Sequence, residues 1–516
     1  MNRGYDSPVN GAHASPPTAL PRLLRFDVSE RSLTTRTVHA LTQYGALGTL
    51  GLLTLPLFSR LLGSAGVGRM FLYLTMRSFV RHLCLVNVRE GTLPLLPHLT
   101  DRAAIRAQYL ASLTTGLLSA AVWSLVVATL GPWILPAVLR DASPALSLLL
   151  FSTAVADLGI MLPQAFQRTR ILALANTAVE VGGVTLALAL VFAGRGPEAI
   201  IWGLSASALL TGIVLHALAL RAVGGFARPQ PALARHAIHF GVRLLPITFL
   251  PKFLDGIGRI TAAVLLDERA VGILATAYLV ASPLLATLTV LGFVWLPTAK
   301  YLLVHDRDRF ARLLATAPRV LGSVLGIGII LITAIAPAVI PAVSTPDFAA
   351  AATAVPLIAA GLASFVFAAL LQGLFLAMGT VRPVLQSALL SLLASATLAF
   401  PLTRSAGMLG AAAAGTIGYA VHVGVLLFRW QQLGAVPLPW AQLRLIAGLS
   451  TLFVLVAVGA GRHLSAAASA AGGVLLAGGL VFLLGLFGVF SWRELRRFTL
   501  LLMKAGARAW APRDPL

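Results

Sequence analysis

Apolar residues in this chain come in long blocks rather than in single turns. Leu, Ala, Val, Ile and Gly fill stretches of about 20 residues, the length that crosses a hydrocarbon core at 1.5 Å per helical residue. Short polar bursts rich in Arg separate them. Fourteen blocks can be marked, near residues 36–59, 66–88, 109–131, 145–166, 171–193, 198–221, 241–264, 270–296, 319–342, 351–378, 383–402, 407–429, 442–461 and 466–490. The pattern predicts an all-α polytopic membrane protein of about 14 transmembrane helices.

The cations orient these spans. With the N-terminus inside, 28 of the 39 Lys and Arg residues fall in cytoplasmic segments. Seven face out (Arg60, Arg69, Arg140, Arg195, Arg269, Arg404 and Arg462) and four lie within spans. One missed span would exchange the side of every later loop, so this alternation favours an even count with both termini cytoplasmic. Residues 1–34, rich in Pro, Ser and Arg and without an apolar h-region, are expected to form a disordered cytoplasmic leader. In residues 491–516, Trp492, Leu495, Phe498, Leu501 and Leu502 recur at helical spacing opposite Arg493, Arg496 and Arg497. That spacing predicts a basic amphipathic helix lying on the inner leaflet.

An internal repeat suggests how the spans are grouped. LLGSAGVGRMFLY begins at Leu61 and LLDERAVGILATAY at Leu265, so the two motifs are 204 residues apart. Six spans separate them, and an even number gives both copies one orientation. Parallel repeats of this kind build transporters from two pseudo-symmetric lobes with a site between them. The expected division is a six-span lobe over 35–221, a cytoplasmic linker over 222–240, a second six-span lobe over 241–430 and two further spans within 431–490.

Composition narrows the function. Charged residues make up 11% of the chain and its mean hydropathy is +0.89, whereas soluble domains carry roughly 25% charged residues. A soluble enzyme of this size is excluded. The net charge of +22 is spread along the whole length and not gathered on one face, which argues against a nucleic-acid surface. A single cysteine, Cys84, rules out an intramolecular disulfide and a Cys-rich metal site. No HExxH, GxSxG or Walker motif is present, and every loop is too short for a catalytic domain. The chain reads as a transporter that needs no cofactor or metal.

The informative residues are charges inside spans, where each costs roughly 2.5–3.5 kcal/mol on insertion scales. Arg77 and Arg81 share a face of span 2. Unpaired, they would suit a phosphate or pyrophosphate, which a guanidinium fork binds bidentately. Paired with Asp157 in span 4 or Glu180 in span 5, they would be structural. Either acid could instead bind a coupling proton or sodium ion. Arg89 and Glu90 stand at the cytoplasmic mouth of span 2. In span 7, Pro246 and Pro251 each remove a backbone donor and predict a broken, hinge-like helix. Lys252, Asp255 and Arg259 follow at three- and four-residue spacing, so the acid is expected to be satisfied on its own helix, leaving a net positive charge. Small residues from Gly407, in GMLGAAAAGTIG, predict a close helix crossing in span 12.

Taken together, SRLLGSAGVGRMFLYL, AVGILATAYLVASPL, VWLPTAKYL with the basic loop DRDRFARLL, and FLAMGTVRPVLQSALLSLL followed by GMLGAAAAGTIGYA resemble the polysaccharide flippases, of O-antigen type, of the multidrug/oligosaccharidyl-lipid/polysaccharide exporter superfamily. The resemblance covers about residues 36–430. It departs from the family where Gly258, not an acid, precedes Arg259, and in the higher charge of span 2. It implies translocation of a polyprenyl-pyrophosphate-linked oligosaccharide to the outer leaflet by alternating access, with Arg77, Arg81, Lys252 and Arg259 lining the cavity. The implied partners are that lipid-linked substrate, membrane lipids, and polysaccharide polymerase and chain-length proteins. A multidrug cation antiporter of the same fold should have an acidic cavity instead, and a lipid II flippase is a close alternative.

Overall fold

The computed structural model describes residues 30–291, 299, 302–303, 306–433 and 438–489, and among these every regular element is helical. In chain order the α-helices are α1 (Glu30–Cys84), α2 (Val88–Thr92), α3 (Arg102–Ile134), α4 (Ala137–Arg140), α5 (Ser143–Gly159), α6 (Met161–Ala165), α7 (Thr169–Phe192) and α8 (Ala199–Val223). They continue as α9 (Pro231–Leu265), α10 (Glu268–Ala281), α11 (Ala286–Val290), α12 (Arg307–Val343), α13 (Ala351–Ala377), α14 (Arg382–Leu433), α15 (Trp440–His463) and α16 (Ala466–Leu486).

Ten of the described helices are long and apolar enough to cross a membrane. The fourteen expected blocks map onto this set once three features are counted. Helix α14 holds two blocks, divided at Gly407, where φ is 57°. Helix α1 holds the first two, divided at Gly63, where φ is 67°. The fourth is the 17-residue α5 prolonged by α6. At Gly63 and Gly407 the left-handed backbone turns one span into the next without a loop, a conformation that only glycine adopts cheaply. The chain is a multi-pass membrane protein. The expected leader falls almost wholly outside the described residues, and the amphipathic tail falls entirely outside them.

Helices α3, α5, α7 and α8 pack on one another; α9, α10, α12, α13 and α14 form a second set of neighbours, and α15 and α16 attach to α12. Helix α1 bridges the two sets, touching α5 and α7 on one side and α9 and α10 on the other. Small residues set the closest crossings. A Cβ on Gly258 would strike the Ala411 carbonyl oxygen, and one on Gly415 the Leu254 carbonyl oxygen, so α9 and α14 meet backbone to backbone. This is the close approach that the glycine and alanine spacing from Gly407 predicts.

The repeat motifs also touch. A Cβ on Gly68 would strike the Glu268 carbonyl oxygen, and one on Gly272 the Ser64 carbonyl oxygen. Ser64 and Gly68 are each 204 residues from Glu268 and Gly272, so the two copies cross each other with matching contacts. Arg69 closes the same crossing with a bidentate pair to Glu268 at 2.9 and 3.0 Å. Toward the other end of the spans a second pair of glycines does similar work. Gly91 abuts the Ala237 carbonyl, Gly241 abuts that of Asn87, and the Asn87 amide donates to the Gly241 carbonyl oxygen at 2.9 Å.

One expectation fails. Span 7 is not broken: α9 runs as a single 35-residue helix through Pro246 and Pro251. A proline deletes one hydrogen bond, and within a bundle the neighbouring helices hold the backbone in place around it.

Candidate functional site

The in-span charges converge where α1, α5, α7 and α9 meet, and they divide into two groups of different character. In the first, Arg77 on α1 places its fork on Glu180 of α7, with Nη2 at 3.0 Å and Nη1 at 3.5 Å from the two carboxylate oxygens. Its Nε donates to Thr153 Oγ1 on α5 at 3.1 Å. Arg81 pairs with Asp157 of α5. Arg89 reaches the other Asp157 oxygen at 3.5 Å and Glu90 at 2.9 Å. The mouth residues therefore continue the same chain of charges: Arg81, Asp157, Arg89, Glu90.

Two unpaired guanidinium groups facing an open cavity are thus not what the structure contains. Span 2 carries its arginines because spans 4 and 5 each supply an acid, and pairing removes much of the cost of burying either charge. The space beside these pairs, lined by Arg77, Arg81, Thr153, Asp157, Asn176, Glu180 and Thr211 among others, amounts to about 40 Å³. That volume admits a water or two and no sugar ring.

The second group lies on α9 and is differently satisfied. The expected triad on that helix does not form: Asp255 makes no ion pair within 4 Å and accepts a 2.7 Å hydrogen bond from Tyr419 Oη of α14 instead. Side chains three and four residues apart on a helix are neighbours, but Tyr419 presents a donor with less loss of rotamer freedom than Lys252 or Arg259 would pay. Arg259 stacks over the Tyr278 ring at 4.7 Å, a cation–π contact. Its Nη1 donates to Thr75 Oγ1 at 3.2 Å, while its Nε is buried without a hydrogen-bond partner. Lys252 is exposed, has no acid within ion-pair distance among the described residues, and lies within electrostatic reach of Asp255, Arg81, Arg259 and Arg77. Beside these groups Phe79, Phe249 and Phe253 close the seam between α1 and α9, with ring centroids 5.4–5.9 Å apart.

The structure therefore brings together every candidate charge, with α9 contributing two cations that no carboxylate among the described residues neutralises at close range. Sequence spacing did not disclose Tyr419, Tyr278, Thr75 or the phenylalanine cluster. The only signal for them is that polar and aromatic side chains recur on segments otherwise made of small aliphatic residues.

No protein-family model and no curated protein matches the chain. Solved structures do. A structure of the lipid II flippase MurJ in an inward closed conformation aligns with a TM-score of 0.65 at 14% identity, covering 89% of this chain and 99% of that one. An inward-facing multidrug resistance MATE family transporter of the MOP superfamily aligns at 0.59 and 14% identity, covering 79% and 96%. A MOP superfamily transporter from Pyrococcus furiosus, described as having a binding pocket of reverse polarity, aligns at 0.54 and 13%, covering 82% and 99%. The chain has the fold of the MOP transporters.

Proposed function

We propose that the chain is a flippase that carries a polyprenyl-pyrophosphate-linked oligosaccharide from the cytoplasmic to the outer leaflet, with both termini cytoplasmic. The observation that carries this reading is the pair of uncompensated cations on α9. Among the described residues Lys252 is free of ion pairs, and Arg259 keeps a buried Nε without a partner. An anion with two phosphates would satisfy both, and Arg77 and Arg81 lie within electrostatic reach of Lys252. The fold likeness to a lipid II flippase supports a lipid-linked cargo and keeps lipid II as the second reading. Export of cationic drugs is disfavoured by the same two cations, which would repel such a cargo.

In this mechanism the glycan and pyrophosphate occupy the centre while the polyprenyl chain stays in lipid. The two sets of helices rock about the site, so the Phe79, Phe249 and Phe253 contacts must part to admit the headgroup. Pro246 and Pro251 leave α9 with fewer internal hydrogen bonds, which makes it the softest element to bend at the site.

Mass spectrometry of lipids from cells depleted of the protein tests the reading. Accumulation of one polyprenyl-pyrophosphate oligosaccharide is expected and would name the cargo. An unchanged lipid-linked pool together with new sensitivity to cationic drugs would refute it. Arg77→Lys should also impair transport, because a point charge does not reproduce the fork that holds Glu180 and Thr153.

A further inference from the structure

A second basic feature lies on α9, away from the buried ion pairs. Arg235, His239 and Arg243 recur every fourth residue from the second turn of that helix, so they form one stripe about 12 Å long. All three are exposed, and none pairs with an acid among the described residues. Across from them stand Ala111, Thr114 and Thr115 of α3, and the two helices enclose a groove of about 640 Å³. Between the cations the wall is apolar, formed by Ile238 and Val242, and Phe240 and Val242 are 39% and 44% exposed, as on a surface that meets lipid. The stripe starts outside the apolar part of α9 and ends within it. An anion that carries an apolar chain matches both parts of this surface.

We propose that this groove binds an anionic phospholipid, its phosphate held by Arg235, His239 and Arg243 and one acyl chain laid along Ile238 and Val242. The opposite charges and the mixed wall select a lipid phosphate over a soluble anion. Assignment of the site to the cytoplasmic leaflet rests on the orientation proposed above; the binding itself does not depend on the cargo.

Native mass spectrometry of the full-length protein in detergent, with phosphatidylglycerol, with phosphatidylcholine of the same chain length, and with inorganic phosphate as competitor, tests the site. The wild type should retain phosphatidylglycerol in preference to phosphatidylcholine. The Arg235→Gln/Arg243→Gln variant should lose that retention roughly 10- to 30-fold. Arg235→Lys/Arg243→Lys should keep most of it, and Arg382→Gln, an exposed cation on another helix, should change nothing. His239→Gln, measured in parallel, should show a smaller loss and serves if the double variant gives no folded protein. Equal retention of the two lipids, undiminished phosphatidylglycerol in the glutamine variants, or its displacement by millimolar phosphate would each overturn the proposal. Lipid retention is read without transport, so a failed flippase reading leaves this outcome separate.

Discussion

The two charge groups at the centre of the molecule are built from the same residue types and behave differently. On the α1–α5–α7 side each arginine meets an acid from another helix, and the Asp157 carboxylate is shared by two. On the α9 side the one acid is given to a tyrosine, and the lysine and arginine are left to an open space and an aromatic face. The difference separates two uses of a charge inside a span. A paired charge holds helices in register and costs stability when its partner is removed. An unpaired one costs stability in place, and a bound anion can recover that cost.

The sharpest way to break the comparison is to remove cations from each side in turn. Lys252→Ala/Arg259→Ala should lower export by more than 100-fold, the scale of two lost charge-assisted contacts of about 1.5–3 kcal/mol each, with little change in thermal stability. Arg77→Ala/Arg81→Ala should lower export and stability together, because Glu180 and Asp157 are orphaned. Thermal unfolding in detergent and glycan export in complemented cells measure both, and the reverse assignment would sink the distinction. Next in size, Asp157→Asn should destabilise by about 3 kcal/mol, since it uncouples Arg81 and Arg89 from a buried acid. Tyr419→Phe should cost about 1 kcal/mol by taking the donor from Asp255, and a cost near that of Asp157→Asn would mean the α9 side is as structural as the other. The smallest effect belongs to the half-exposed pair at the repeat crossing, where Glu268→Gln should change stability by less than about 1 kcal/mol.

Much of this architecture was legible in the chain because a bilayer imposes a simple rule: about 20 apolar residues per crossing. Block boundaries at 402–407 and 59–66 bracket the turns at Gly407 and Gly63, since a single flexible residue can end one span and start the next. The site was legible only as a roster. Arg77, Arg81, Asp157, Glu180, Lys252, Asp255 and Arg259 stand out wherever spans are apolar, but who pairs with whom depends on helices that meet from afar. Arg77 and Glu180 are 103 residues apart, and Tyr419 is 164 from Asp255. Local spacing favoured a triad on α9 because it sees only one helix. It favoured a break at Pro246 and Pro251 for the same reason.

The glycine crossing between the repeats has the form of an isologous interface, the kind that joins identical subunits across a two-fold axis: Gly68 meets Glu268 as Gly272 meets Ser64. A surface of that form is complementary to itself. Any substitution adding bulk at one copy closes the same gap that its counterpart would, so Gly68 and Gly272 constrain each other although 204 residues separate them.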